Sequence, residues 1–337
     1  MPAVSFHGVT IAWSLSDGAR DPLRELLSVF DAPQGTTDGP EASCVRFEVS
    51  LAPASAATDP REEGWAPSFF HGAVETFRGE RGFLIWDYAS RVLVPPDGAP
   101  IVAQIAPLER EITSGSTSTA LQVALILALR PLGFFHLHAA ALVLPSATPV
   151  IVVGGTGAGK TTTTLALLEG AGADFLCDDS LYLSSSGSGA PLDLVAFPRE
   201  FHVGPATLAT FPRLAPLLGP VSPHTDKRAV DPRRAYPERF RPFLSIPRSP
   251  ASALALFPSI ANAEVTTVLP LARSDAFGRL LGSSGALVVD GVPKREANLA
   301  ILSALLGTVG CYEVRLGADA IRAPMDAVCA RIVHLPT

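Results

Sequence analysis

The chain has 337 residues, 47% of them hydrophobic and 17% charged, with a formal net charge of −6. That length suits two domains, or one with a large appendage, and the composition is that of a soluble globular protein with enough chain for a sizeable core. Acidic balance and the lack of any long basic run exclude a nucleic-acid surface as the main business of the chain.

Taken in chain order, residues 3–14 have the β-branched and aromatic content of a strand, and residues 21–30 set Leu23, Leu26, Leu27 and Phe30 on one face of a short helix. Nothing before Trp13 resembles a signal peptide. Residues 44–51 alternate Val45, Phe47 and Val49 as a strand, 61–68 read as a surface loop, and 73–105 hold three or four short strands broken at glycine- and proline-rich turns. A strong helix spans 114–129 and joins this β-rich part, residues 1–112, to a second domain, 113–337; its apolar run, 120–129, is too short to cross a bilayer. Apolar strands follow at 135–144 and 150–153, then a helix at 161–169 and a short strand at 175–177. Further strands are expected at 181–183 and 192–196 and a helix at 206–218. Residues 219–250 are Pro- and Arg-rich without periodicity, the kind of long irregular segment that is more often functional than connecting. Strands at 252–257, 264–269 and 311–316 and helices near 276, 298–308 and 323–333 close the chain, so the expected fold class is α/β. Cys44, Cys177, Cys311 and Cys329 are scattered with no C-x-x-C pair, which suits free thiols in a reducing compartment; cytoplasmic location with no membrane partner is the expectation.

The stretch that organises the rest is 150–161, a buried strand running into a glycine-rich turn and then a helix. It fits G-x-x-x-x-G-K-[ST] at every fixed position. Gly154, Gly155, Thr156, Gly157, Ala158, Gly159, Lys160, Thr161 and Thr162 form the expected nucleotide cradle. The glycines let successive N–H groups turn toward phosphate oxygens, Lys160 supplies charge for the β/γ-phosphates, Thr161 a hydroxyl for Mg²⁺, and the following helix a favourable dipole. Seventeen residues separate Lys160 from the pair Asp178-Asp179, room for one helix and one short strand laid beside the first. The pair then lies near the phosphates, one carboxylate helping to hold Mg²⁺ (Asp179, with Thr161) and the other taking a proton from an attacking hydroxyl. His138 is placed to reach the γ-phosphate or a carboxylate and to relay a proton, while His136 reads as a hydrogen-bonded strand residue. The chain has three lysines, Lys160, Lys227 and Lys294. Where Arg is the habitual cation, Lys227 beside Arg228 in the irregular segment is a candidate for offsetting charge on a transferring phosphoryl group, and Lys294 reads as surface.

The segments His138-Ala-Ala-Ala-Leu-Val143, Gly154-Gly-Thr-Gly-Ala-Gly-Lys-Thr161 and Cys177-Asp-Asp-Ser180 together resemble the catalytic domain of the HPr kinase/phosphorylase family and its smaller relatives, among them kinases of ribosomally made peptides. Weaker likeness extends through Phe197-Pro-Arg199, Asp226-Lys-Arg228 and the 312–317 strand. The resemblance implies a P-loop domain of the phosphoenolpyruvate carboxykinase type, with ATP and Mg²⁺ as cofactors. It makes His138 the active-site histidine, Lys160 and Thr161 the phosphate and Mg²⁺ ligands, and Asp178/Asp179 the base and metal partner. It also implies a homo-oligomer, for which no interface is readable here. The glutamate-bearing signature of the bifunctional enzymes is absent, Arg199-Glu200 standing at that distance with other neighbours, so phosphorylase activity is not carried over. The β-rich N-terminal part matches no regulatory domain of those enzymes. The expected activity is transfer of the γ-phosphate to a hydroxyl, most simply a serine of a peptide or small protein. A small-molecule kinase and a nucleotide-sensing, partner-binding protein are the alternatives.

Overall fold

A computed structural model of the chain describes residues 1–16, 43–51, 58–71, 74–106, 113–187, 189–197, 201–221, 226–250, 252–284 and 292–336. The helix expected at 21–30 and the Arg199-Glu200 pair lie outside the described residues. The chain divides into two compact units, Met1–Leu132 with Val288–Lys294, and Gly133–Leu287 with Arg295–Thr337.

The first unit carries β1 (Ala3–Phe6), β2 (Val9–Leu15), β3 (Cys44–Leu51), β4 (Ala66–His71), β5 (Val74–Gly79), β6 (Gly82–Trp86), β7 (Arg91–Val94) and β8 (Ile101–Ile105). They form one sheet in the order β1-β2-β3-β8-β7-β6-β5-β4. The single strand expected over 3–14 is a hairpin: His7 (φ 46°) and Gly8 (φ 85°) take the two left-handed positions of a two-residue turn. Part of the loop expected at 61–68 is β4. In β3, Val45, Phe47 and Val49 are buried and Arg46 and Glu48 exposed, as the alternation required. Helix α1 (Thr113–Leu129) packs against β5, β6, β7 and β8 and buries Leu121, Ala124, Leu125 and Leu129. Its apolar surface is satisfied by these strands, so this unit runs through Leu132 and takes in the helix that the 112/113 boundary gave to the second domain.

The second unit carries β9 (Phe135–Leu137), β10 (Ala139–Val143), β11 (Pro149–Val153), β12 (Asp174–Cys177), β13 (Leu181–Ser184), β14 (Leu192–Ala196), β15 (Phe201–Val203), β16 (Leu218–Val221), β17 (Arg228–Val230), β18 (Phe243–Ile246), β19 (Ala253–Ile260), β20 (Thr267–Pro270) and β21 (Val309–Leu316). They make a six-stranded sheet β12-β10-β11-β19-β21-β20, a four-stranded sheet β18-β14-β13-β9 and a three-stranded sheet β15-β17-β16. In the six-stranded sheet β11, β19 and β21 are parallel neighbours. Alternate residues of its strands enter two cores. Ala139, Ala141, Ile151, Val153, Ala255 and Phe257 face the four-stranded sheet, α5 (Arg273–Ser283) and α6 (Arg295–Thr308). Ala140, Leu142, Val150, Val152, Leu254 and Leu256 face α2 (Lys160–Gly170), the three-stranded sheet and the C-terminal helical turns. A sheet covered on both faces explains why these strands are continuously apolar rather than alternating with polar residues. The helix expected at 206–218 is two short pieces, α3 (Pro205–Thr210) and a 3-10 turn (Pro212–Leu217), parted before Pro212, which disfavours helical geometry at Phe211. The irregular segment 219–250 contains most of β16, all of β17 and β18, and a helical turn, α4 (Pro232–Ala235).

All three tryptophans, Trp13, Trp65 and Trp86, lie in the first unit, so their fluorescence reports its unfolding alone. Gly82 closes the β5–β6 hairpin at φ 113°, and a Cβ there would stand 2.2 Å from the Val94 carbonyl oxygen. Gly82→Ala is expected to lower the stability read by tryptophan fluorescence in urea by more than about 1 kcal/mol; an unchanged midpoint would show that the turn is not under that constraint.

Candidate active site

Two antiparallel ribbons share one break. β9 pairs with β13, Leu137 opposite Leu181, and β10 pairs with β12, Ala141 opposite Cys177. Residues 138–140 and 178–180 therefore face each other where both chains pass from the four-stranded to the six-stranded sheet. His138 occupies one crossing and Asp178-Asp179 the other. Ala139 is opposite Val153, the last residue before the glycine-rich loop, so the loop opens at the same end. Sequence reasoning laid the acid-bearing strand directly beside β11. β10 lies between them, and its start is what brings a histidine in.

Lys160, first residue of α2, is 6% exposed and turns its ammonium into this break. It donates to the Gly154 carbonyl at 2.9 Å and lies 3.2 Å from Asp179 Oδ1 and 2.9 Å from His138 Nε2. An ammonium has no lone pair to offer, so Nε2 is the acceptor in that contact and the imidazole proton sits on Nδ1. Asp179 Oδ1 is also 3.8 Å from His138 Nε2. The Thr161 hydroxyl donates to Asp178 Oδ2 at 3.1 Å. Thr161, expected to work with Asp179, therefore meets Asp178, while Asp179 is engaged by Lys160.

The two carboxylates have opposite surroundings. Asp178 is 2% exposed, and burial, reinforced by the neighbouring charge of Asp179, raises its pKa to about 7 against the opposing pull of Lys160, the Thr161 hydroxyl and Lys227. Asp179 has a side chain 35% exposed and opens toward the loop. Asp178 Oδ1 is buried with no hydrogen-bond partner, an acceptor that a cation or its water would satisfy. Among the described residues no group of three or more His, Cys, Asp or Glu side chains is placed to cage a metal. Mg²⁺ is commonly held by one or two carboxylates together with phosphate oxygens and water, and Thr161 Oγ1 with Asp178 is a partial set of that kind. Over the loop there is room: at Gly155 and Gly157 an added Cβ would meet nothing within 4 Å. Gly157 (φ 79°) and Gly159 (φ 99°) take the left-handed backbone expected of a loop folded around an anion, and Gly159 caps α2 without a side-chain hydrogen bond. Thr156, Ala158 and Thr162 are exposed or half-buried around the same turn.

Of the outlying candidates, Lys227 acts on Asp178 electrostatically and stands beside Gly204. Arg228 is turned away, its Nε donating to the Gly219 carbonyl at 3.0 Å, where it ties β16 to β17. His136 is 9% exposed, bonds Ser180 Oγ at 3.0 Å and packs edge-on to Tyr182, the structural role expected of it. Sequence reasoning missed the support under His138, whose N–H donates to the Ser283 carbonyl at 2.9 Å. Beside it, Ser284 bonds the His136 carbonyl at 3.3 Å and Asn298 bonds Ser284 at 3.2 Å. Nothing in the local pattern of Gly282-Ser283-Ser284 distinguishes such a support from a helix end. All four cysteines are free.

No protein-family model matches the chain, and no curated protein does. A solved structure of the Hpr(Ser) kinase/phosphatase from Coxiella burnetii is similar over 58% of this chain and 93% of that one, at 10% identity and a TM-score of 0.29. A likeness of that size carries no argument by itself.

Because the Asp178 carboxyl holds its proton more tightly folded than unfolded, the stability it contributes is fully present below pH 3.8 and is lost as pH rises through about 7. In magnesium-free buffer the wild-type urea midpoint is expected to fall between about pH 5 and about pH 8 relative to Asp178→Asn, which cannot ionise. A gap between the two proteins that does not change with pH would contradict the burial argument.

Proposed function

We propose that the second unit is an ATP- and Mg²⁺-dependent kinase of the HPr kinase-like type that transfers the γ-phosphate to a hydroxyl, most simply a serine of a peptide or small protein. The observation that carries the reading is the convergence of Lys160, His138 and Asp179 on one point at the mouth of the glycine-rich loop, with Thr161 and Asp178 beside it. A loop of this pattern alone supports phosphate binding; the added carboxylates and histidine support transfer.

The roles follow from environment. Loop N–H groups and the α2 N-terminus hold the phosphates, and Lys160 exchanges Asp179 for the more highly charged β- and γ-phosphate oxygens. Thr161 and Asp178 would hold Mg²⁺, which when bound supplies charge neutralisation across the phosphates; an ion there also favours the ionised form of Asp178. Asp179, released by Lys160 and open to the loop, orients the acceptor hydroxyl and takes its proton as the oxygen attacks phosphorus and the bond to the β-γ bridging oxygen breaks. His138, neutral with its proton on Nδ1, offers Nε2 to the same proton path. Lys227 adds positive charge toward the transferring group, and Arg228 keeps its strand in place. Membership in the carboxykinase-like P-loop fold and the cytoplasmic setting belong to this proposal, and so does the assembly as a homo-oligomer.

The test is incubation with labelled ATP, Mg²⁺ and serine-bearing peptides or small proteins. Transfer is expected, with Asp179→Asn lowering kcat about 10²- to 10⁴-fold while nucleotide still binds, and Lys160→Ala losing both. Absence of transfer to any hydroxyl, or a variant Asp179→Asn as active as wild type, would refute it.

A further inference from the structure

At the ends of the six-stranded sheet the functional groups lie to one side of the loop. Asp178 and Asp179 follow β12 and His138 precedes β10, and the loop follows β11. On the far side come β19 and β21, parallel to β11 and ending at the same edge in Ile260 and Leu316. Leu316 is 2% exposed and packs under Gly159, where an added Cβ would fall 2.3 Å from Leu316 Cδ1 and 3.5 Å from Ile260 Cδ1. Ile260 is nonetheless 67% exposed, and Val265, five residues on, is 54% exposed. An Ile so open, beside Gly159 where a loop built for an anion passes into α2, is an apolar surface continuous with the phosphate site.

The segment behind Ile260 is rigidly held. Ala261 N–H donates to the Leu316 carbonyl at 2.9 Å, Ala318 N–H to the Ala263 carbonyl at 2.9 Å, and Asp319 N–H to the Glu264 carbonyl at 3.1 Å. Thr266, fully buried, donates to Asp319 Oδ1 through both its N–H, at 2.8 Å, and its hydroxyl, at 2.6 Å, and accepts from Gly317 N–H at 3.1 Å. Gly317 has no room for a side chain, since its Cβ would fall 2.6 Å from the Val265 carbonyl carbon. Such fastening fixes an exposed apolar residue in position, as a preorganised binding surface requires and a plain connecting loop does not.

Resting on the reading of the loop as the cradle of ATP, we propose that Ile260 is the apolar platform for the nucleoside half of ATP. The γ-phosphate must lie on the Asp179/His138 side to be transferred, so the chain of phosphates leads away from that side and delivers ribose and base toward β19 and β21. There a purine plane covers the Ile260 side chain, and burial of that surface adds affinity that a bare polyphosphate cannot gain. Ile260 is a positioning residue: it sets how tightly ATP is held without touching the reacting atoms.

Calorimetric titration of the full chain with Mg·ATP and, separately, with Mg·tripolyphosphate tests it. Ile260→Ala is expected to weaken ATP binding about tenfold and to leave tripolyphosphate binding within about twofold of wild type. Because the side chain is exposed, the variant should melt at the wild-type temperature. Unchanged ATP affinity, or equal weakening of both ligands, would overturn the platform while leaving the kinase reading intact. If wild type binds neither ligand, the loop reading fails and the platform falls with it.

Discussion

The Lys160 side chain is 6% exposed, and a charge taken that far out of water has to find compensation nearby or cost several kcal/mol. It finds partners from three parts of the chain: the Gly154 and Gly155 carbonyls of its own loop, the Asp179 carboxylate and the His138 ring. Each is delivered by a different strand end, so the contact is possible only if β10, β11 and β12 end or begin together at one edge of the sheet. The break between the two antiparallel ribbons creates that edge. It also leaves Asp178 facing inward with one oxygen on Thr161, where burial raises its pKa to about 7.

The two carboxylates, adjacent in sequence, therefore have different partners for a physical reason. They stand in the bend between β12 and β13, which turns their side chains to different surroundings. At the crossing one side is core and the other is the mouth of the loop, so Asp178 meets a hydroxyl and Asp179 meets a cation. In the proposed reaction a phosphate oxygen entering the loop would compete with Asp179 for Lys160 and so would link nucleotide binding to the release of the group proposed to act on the acceptor. Across the same edge the sheet changes character from charged after β12 and before β10 to apolar at the ends of β19 and β21, the contrast on which the proposed orientation of a nucleoside triphosphate rests.

Much of this was legible in the sequence, and the reasons for the rest are specific. The loop pattern and the seventeen-residue spacing anticipated that Lys160 and Thr161 would stand beside Asp178 and Asp179. The alternation of Val45, Phe47 and Val49 was equally plain, because period-2 burial leaves its mark on single residues. The position of β10 between β11 and β12 was not readable, since strand order within a sheet is set by pairing between distant segments. For the same reason α1 was assigned to the wrong side of a boundary: its apolar face says that it packs, not on what. The strands in 219–250 were hidden by Pro and Arg, and their pairing with β14 and β15 supplies what local propensity lacks. Ile260 carried no signal at all, because an Ile at a strand end reads as core until its exposure is known.

The claim on which the account turns is that Lys160 is shared between the His138/Asp179 pair and nucleotide phosphate. Histidine-selective ¹⁵N NMR observes it directly, with the His138 signals assigned by their loss in His138→Gln. Without nucleotide, Nε2 should carry the shift of an unprotonated ring nitrogen accepting a hydrogen bond. Adding Mg·ATP should move that signal as Lys160 turns to the phosphates, and Lys160→Ala should abolish the starting hydrogen-bond signature. A His138 Nε2 resonance that stays fixed through saturation with Mg·ATP would contradict the account.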